Sequence, residues 1–361
     1  MSGERLAQQH AAGLLTGLDG LQQSLRAHRP DLARCALVPL SDKGLAHHHV
    51  RLEGSGLLAR LPKQSQMGLA AAANLAYEAA CFQRAAGCGH VPALAGVLPA
   101  GPALPRGGLL VEEVVGRPVR LPDDLAAIAA ALAAIHALPL PPPATRPPLL
   151  DAADPLSALR QEIETQALHL PAAGLAPQVL ALVARAQTDL ARHAGRDERP
   201  ARRLIAFDAH PGNFLLRADG SAVLVDLEKS RYSHPPLDLA HATLYTSTTW
   251  DLASHAVLSP AQVDATYLAW ERAADLGPSQ RPWYLPLRLA MWLWSVTWCA
   301  KWRVLSVRRA AAGADGEDWS QNLTADALVA HVRGRVDCYL SLPVVQQVVD
   351  ELDQLGRRWQ A

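Results

Sequence analysis

Lysine is almost missing from this chain. It occurs at four positions, Lys43, Lys63, Lys229 and Lys301, against 34 Lys plus Arg in 361 residues. Arginine carries nearly all the positive charge. Together with the abundant alanine, that reads as genome composition rather than function. A surplus of charge of either sign is missing too, since the formal net charge is zero. No global field therefore favours nucleic acid or an anionic membrane. Long apolar runs are absent as well. The longest, LAMWLWSVTWCA at 289–300, has 12 residues bracketed by Arg288 and Lys301, short of the ~18 that suggest a spanning helix. A buried helix is expected there. The opening MSGERLAQQHAAGLL has early charges and no apolar core followed by a small-residue cleavage site, so it does not read as a secretory signal. The five cysteines are scattered with no CxxC pair, as expected of reduced thiols in a cytoplasmic protein. There is no internal repeat.

What remains is half apolar and 19% charged, the composition of a soluble globular chain with a substantial core. Leu14, Leu15, Leu18, Leu21 and Leu25 lie near helical spacing within 4–27, which predicts an amphipathic helix. Residues 35–63 change character: CALVPL, HHHVRLEG and GLLARLPK are short apolar runs broken by SDKG and EGSG. They predict consecutive antiparallel strands. Alanine-rich sequence at about 68–87 predicts a helix. GGLLVEEVVG (107–116) predicts a further strand after a Pro/Gly-rich loop.

Beyond this point the pattern is mostly helical. Leu125, Ile128, Leu132, Ile135 and Leu138 recur three or four apart, with Asp123 or Asp124 as N-cap. Residues 139–155 form a proline-rich connector. Helices are expected at about 156–169, at 175–194 and from about 237 onward. One hairpin interrupts them: strand-like runs at 214–217 and 222–227 flank Asp219-Gly220, a strong turn signal. The chain thus divides near residue 113 into a small β-rich part, 1–113, and a large helical part, 114–361.

At the entrance of that hairpin lies FDAHPGNFLL (207–216). Pro211 and Gly212 force the loop out of helix, and the hairpin returns the chain so that Asp226 can approach Asn213. Two carboxylates and a carboxamide converge, an oxygen-only set that suits Mg²⁺. Phosphoryl transfer requires this inventory: a carboxylate to orient the attacking hydroxyl, and oxygen ligands for the metal that bridges the phosphates. A D-x-x-x-x-N spacing alone is a weak signal, and an accidental match on a helical scaffold is the bland alternative. The hairpin, the second aspartate and the β-rich N-terminal part strengthen the chemical reading.

The segment resembles the catalytic region of the aminoglycoside phosphotransferase and choline kinase superfamily. The family pattern H-G-D-L-H-P-G-N is matched by AFDAHPGN (206–213), I-D-W-E by VDLE (225–228), and D-P-x-x-D-L-A by HPPLDLA (234–240). LLVEEVVGRPV is similar to the family's hinge and LAAIHALPL to the helix after it. The resemblance covers roughly 35–245 and is most specific between 204 and 240. It implies an α+β, protein-kinase-like two-lobed fold with a small antiparallel-sheet N-terminal lobe and a large helical C-terminal lobe. It also implies an ATP- and Mg²⁺-dependent kinase acting on a hydroxyl of a small molecule such as an amino sugar, amino alcohol or sugar, with no nucleic-acid or membrane partner.

On that resemblance Asp208 is the base, and Asn213 and Asp226 are the metal ligands. Asp238 braces the loop through backbone hydrogen bonds. Arg60, with Lys63 as its rival, pairs the phosphates, and Glu78 pairs with Arg60. Glu112 to Val114 meet the adenine, and ATP lies between the lobes. Gly44 and neighbouring backbone N–H groups reach phosphate, and His210 orients the loop or touches phosphate or substrate. Two departures stand out. The first motif histidine is Ala206, and the glycine beside the base is Phe207. The 40–49 loop, moreover, has a single glycine. These departures keep open an alternative, a catalytically inactive nucleotide-binding regulator of the same fold.

Three further features stay open. His47-His48-His49 reads as exposed or loop histidines, as phosphate contacts or, least readily, as a metal site, because neighbours on a strand point to opposite faces. Trp294, Trp298 and Trp302 share a helix face and Trp292 does not. That face is either core or a cation–π site for an ammonium group. The acidic stretch 311–322 is either a solvated loop or an attractor of cationic substrates.

Overall fold

A computed structural model describes residues 17–41, 46–276, 278–306 and 326–360. They fall into two compact units. One takes the chain up to Gln83 together with Pro92–Glu113 and Leu305–Gly334; the other takes Arg84–Val91, Val114–Val304 and Arg335 onward.

The first unit is built on a five-stranded antiparallel sheet in the order β1-β2-β3-β5-β4, with β1 Leu37–Pro39, β2 His47–Leu52, β3 Leu57–Pro62, β4 Leu94–Leu98 and β5 Gly108–Glu112. Helix α1 (17–28) delivers Leu21 and Leu25 to a core with Val50, Leu52, Ala59, Leu61, Leu98 and Leu110. The expected strands are therefore present, and the helix expected over 4–27 is seen from residue 17; its earlier part, with Leu14 and Leu15, lies outside the described residues. The run 107–116 is strand only over Gly108–Glu112, and β4 was not anticipated. It is a bulged edge strand of sequence LAGVL that pairs on one side alone. Helix α2 is Ala71–Ala85. Gly44 lies outside the described residues.

The second unit is mainly helical: α3 Leu125–His136, α4 Pro155–Ala167, α5 Pro177–Ala194, α6 Pro236–Thr243, α7 Tyr245–Thr248, α8 Pro260–Ala274, α9 Tyr284–Leu305 and α11 Leu342–Gln360. Helix α10, Asp326–Tyr339, precedes α11. Local sequence explains the starts. Asp154 accepts hydrogen bonds from Leu156 and Ser157 N–H to cap α4, and Ser259 with Gln262 forms a capping box on α8. Arg288, fully buried on α9, donates to Glu351 of α11 and to both the hydroxyl and the carbonyl of Thr243 on α6. The apolar run 289–300 lies inside α9, and no described helix is long and apolar enough to cross a membrane.

Two small sheets interrupt the helices. Strand β8 (Phe214–Leu216) pairs with β9 (Ala222–Leu224) as the expected hairpin and with β6 (Arg117–Pro118) on its other edge. Gly220 turns the hairpin with φ of +84°, which glycine adopts without strain. Gly116 lets the chain pass close to β8, because a Cβ there would lie 2.7 Å from the Leu216 carbonyl oxygen. Strands β7 (Arg203–Ile205) and β10 (Arg231–Ser233) form the other sheet. These two short strands carry no sequence periodicity of their own.

His234, between β10 and α6, is buried and donates Nδ1–H to the Ala201 carbonyl. Burial pushes its pKa down to about 4, so the folded state holds it neutral while the unfolded chain protonates near ~6.5. Its contribution is complete above that value and is lost as pH falls toward 4, at ~1.4 kcal/mol per pH unit. The melting temperature should therefore fall steeply from pH 6.5 to 4, and less steeply in His234→Asn. Equal slopes in calorimetry of the two proteins would contradict a neutral buried imidazole.

Candidate active site

The loop 206–213 leaves β7 and enters β8, and its geometry is set by a carboxylate beneath it. Asp238, in the first turn of α6, is fully buried and receives the backbone N–H of Ala206 on Oδ2 at 2.7 Å and that of Phe207 on Oδ1 at 2.8 Å. The bracing expected of Asp238 is thus present. The carboxylate is itself held. His136 Nε2 lies 3.0 Å from Oδ2, and Trp270 Nε1 donates to His136 Nδ1 at 2.9 Å. An indole N–H only donates, so Nδ1 must accept and the imidazole proton resides on Nε2, directed at Asp238. Trp270, His136 and Asp238 link α8, α3 and α6 to two peptide groups of the loop.

Phe207 occupies the position where the family pattern has glycine, and its φ of +62° shows why glycine suits it. A left-handed backbone costs a non-glycine residue ~1–2 kcal/mol. The side chain offsets this through packing. Its buried ring meets Trp294 edge-on, with centroids 5.3 Å apart, and the Arg231 guanidinium stacks 3.6 Å from its centroid. Arg231 is paired with Glu162, which also accepts from Trp294 Nε1.

Asp208 follows. Lys229 Nζ donates to its Oδ2 at 2.8 Å, and Lys229 also lies 5.5 Å from the Trp294 ring centroid. Burial pushes the Asp208 carboxyl up. The Lys229 ammonium, with His210 and His241 beside it, outweighs burial and holds the group well below the usual carboxylate range. Burial conversely lowers Lys229, and Asp208 together with Glu228 and Asp226 more than reverses this. The pair is therefore ionised. His241 donates Nδ1–H to the Phe207 carbonyl at 3.2 Å, and burial pushes it down to about 4, leaving it neutral at pH 7. His210 is lowered by the same cause.

Asn213 donates Nδ2–H to the Asp208 carbonyl at 2.9 Å. A carbonyl only accepts, so the amide orientation is fixed and Oδ1 faces away. The hairpin register brings Val225 N–H to the Asn213 carbonyl at 2.9 Å, and Asp226 directly follows Val225 in the chain. Asp226 acts electrostatically on both His210 and Lys229. An amide oxygen and a carboxylate one hairpin rung apart are a donor set that fits Mg²⁺. Gly212 is required by close approach, because a Cβ there would lie 2.8 Å from Asp251 Cβ and 3.0 Å from His210 Cε1.

The remaining candidates fall in or beside the sheet unit. Arg60 and Glu78 are buried in it. Glu78 accepts from Asn74 Nδ2 at 2.6 Å and pairs with His47 Nε2 at 2.9 Å. His47 is 3% exposed, which corrects the reading of the triplet as exposed histidines. Glu112 and Glu113 N–H groups are engaged by the Ala93 and Gly56 carbonyls, and the Glu112 carboxylate accepts from Ala93 N–H. Val114 begins the longest stretch of the second unit. Of the tryptophans, Trp292, Trp294 and Trp302 are buried core. The stretch 311–322 lies outside the described residues.

Sequence reasoning assigned no role to Lys229, His241, His136 or Trp270. Lys229 had a readable signal: it is one of four lysines and directly follows VDLE. The other three have none, because their roles exist only once distant elements pack together.

The sequence profile of the family described as "Phosphotransferase enzyme family" matches residues 43–287. No curated protein matches the sequence significantly. Among solved structures, a choline/ethanolamine kinase family protein from Mesorhizobium loti is 18% identical with a TM-score of 0.54, covering 93% of this chain and 99% of its own. An ethanolamine kinase from Plasmodium vivax is 14% identical with a TM-score of 0.57, covering 91% and 88%. The GDP complex of aminoglycoside 2'-phosphotransferase-IIIa is 16% identical with a TM-score of 0.54, covering 88% and 97%. At such identities the likeness speaks for the fold: α+β and protein-kinase-like, with a small antiparallel sheet and a mainly helical remainder.

The packing around Phe207 yields a test. Phe207→Gly relieves the left-handed backbone but removes a core ring, whose truncation costs ~3–5 kcal/mol. The variant should lose about 1–4 kcal/mol in urea denaturation. An unchanged or higher midpoint would mean that strain, not packing, dominates there.

Proposed function

This chain belongs to the phosphotransferase enzyme family, within the aminoglycoside phosphotransferase and choline kinase superfamily, and from that premise we propose that it is a kinase transferring the γ-phosphate of ATP to a hydroxyl of a small molecule. The observation that carries the proposal is Asp208. Its carboxylate is kept ionised by Lys229, on a loop held by Asp238 and tied to Asn213. The unit with Asp208 supplies the chemistry. The sheet unit, with Arg60 and Glu78, binds the nucleotide phosphates, and the adenine meets the stretch from Glu112 to Val114.

In the proposed reaction the acceptor hydroxyl sits against Asp208. Its oxygen attacks the γ-phosphorus, a new P–O bond forms, the bond to the bridging oxygen breaks, and ADP leaves. The hydroxyl proton passes to the Asp208 carboxylate. A carboxylate with so low a pKa is a weak base in the ground state. It orients the hydroxyl and takes the proton as the oxygen acquires its bond to phosphorus. The Asn213 Oδ1 and the Asp226 carboxylate would hold Mg²⁺, which supplies positive charge to the phosphate oxygens. A cytoplasmic location is part of the proposal, supported by five cysteines none of which forms a disulfide.

The alternative of an inactive nucleotide-binding regulator draws on the loss of the motif histidine at Ala206. The Trp270–His136–Asp238 chain weighs against it, because the loop is braced without that histidine.

Two measurements test the proposal. Asp208→Asn should lower turnover by about 10²–10⁴-fold in an ADP-release screen over diverse small alcohols, while thermal stabilisation by Mg-ATP persists. Wild-type turnover in that variant would defeat the assignment. Lys229→Met removes the cation that holds the Asp208 carboxyl down, so the acidic limb of the kcat/KM profile should move to higher pH. A limb that stays in place would mean that Asp208 is not the titrating group.

A further inference from the structure

The residue taken to pair the nucleotide phosphates is an arginine, and the structure surrounds it with histidines. His47 and His49 stand two apart on β2, on the same face, and Arg60 of β3 is the register partner of His49. The guanidinium reaches both rings: NH2 lies 3.5 Å from His47 Nδ1 and NH1 lies 3.4 Å from His49 Nε2. Its carbon lies 5.7 Å from the Phe82 ring centroid. On its far side His47 meets Glu78 through Nε2 at 2.9 Å. Arg60, His47 and Glu78 are 4%, 3% and 2% exposed.

Donor and acceptor chemistry fixes the roles. A guanidinium has five N–H donors and no acceptor. Each imidazole nitrogen facing Arg60 must therefore accept. For His47 that is Nδ1, so the proton sits on Nε2 and is donated to Glu78. Glu78 receives a second hydrogen bond from Asn74 on its other oxygen. The carboxylate is thereby oriented from two sides, and His47 passes that order on to the guanidinium.

Arginine and lysine are not interchangeable in such a position. An ammonium is a compact point charge, whereas a guanidinium is a rigid planar fork that needs several fixed acceptors to hold its plane. The two imidazoles supply those acceptors along one edge. An imidazole, unlike a carboxylate, carries no negative charge, so it holds the fork without cancelling its charge toward an anion.

Resting on the phosphate-binding reading of Arg60, we propose that His47 is a positioning residue for nucleotide binding: it couples Glu78 to Arg60, and with His49 it fixes the guanidinium plane that receives the polyphosphate. The functional unit is then Asn74–Glu78–His47–Arg60–His49, not a two-residue ion pair. His47 does not touch the nucleotide; it acts through Arg60. The histidine run and the arginine are one adaptation, and neither suffices alone.

The test separates positioning from general stability by comparing ligands with and without phosphates. Thermal shift and titration calorimetry would be run on the full chain with Mg-ATP, Mg-ADP and adenosine. Wild type should bind both nucleotides. His47→Ala should weaken ATP and ADP about 10-fold while leaving adenosine unchanged, and His47→Gln should recover part of the loss. Arg60→Lys should also weaken the nucleotides. In the double variant His47→Ala/Arg60→Lys the losses should not add. Equal weakening of adenosine, or nucleotide affinity unaltered in His47→Ala, overturns the proposal even if ATP binds wild type. Additive losses in the double variant overturn it as well. Absence of any nucleotide effect on wild type defeats the phosphate-binding reading, and this proposal falls with it.

Discussion

The candidate site depends on one carboxylate that is wholly buried. Asp238 lies under the loop and satisfies two successive peptide N–H groups that would otherwise be buried without partners, each an omission costing ~1–3 kcal/mol. Because Ala206 and Phe207 are held by both oxygens of one rigid group, the following residue, Asp208, emerges in a defined direction. The order does not end at Asp238. His136 fixes one of its oxygens and Trp270 fixes the tautomer of His136, so the direction of Asp208 is inherited from the packing of α3, α6 and α8. A chain that lacks the usual motif histidine in the loop keeps the loop's geometry because its bracing comes from beneath.

The same logic explains the charge at Asp208. Arginine dominates the cations of this protein, yet the partner of Asp208 is one of its few lysines. A guanidinium there would present a broad fork with donors left over in a half-buried space already occupied by Phe207, Trp294 and Arg231. The ammonium of Lys229 is compact, makes its bond to Oδ2 and rests against the Trp294 ring. Arg231 takes the roomier place on the Phe207 ring and closes on Glu162. The two cations are sorted by shape.

Much of this was legible in the sequence, and the limits are physical. The β8–β9 hairpin and its Asp219-Gly220 turn were readable because turn chemistry is local. The long helices of the second unit were readable because periodicity is local too. Asp208, Asn213 and Asp226 stood out because a breaker pair and a hairpin sit between them in sequence. Strands β7 and β10 were not readable, since three residues such as RLI or RYS become strand only when they find each other across 25 residues of chain. His136 reads as one polar residue on an alanine-rich helix, and nothing nearby announces a partner 102 positions away. His47 was misread for a similar reason. Three adjacent histidines suggest exposure, but a strand sends alternate residues to opposite faces, and only the face toward α2 reveals Glu78.

Each departure from the family pattern meets its compensation in the residues it touches, not elsewhere in the chain. Phe207 adopts the backbone of a glycine and anchors it with its own ring. Ala206 leaves the loop without a histidine, and Asp238 is held from below by another. Arg60 of β3 likewise has its guanidinium 3.4 and 3.5 Å from two histidine rings on the adjacent strand. The motif is therefore best understood as a set of positions that must be held, with more than one set of side chains able to hold them. What stands without substitution against the family pattern is the carboxylate at 208, the carboxamide at 213 and the carboxylate at 226.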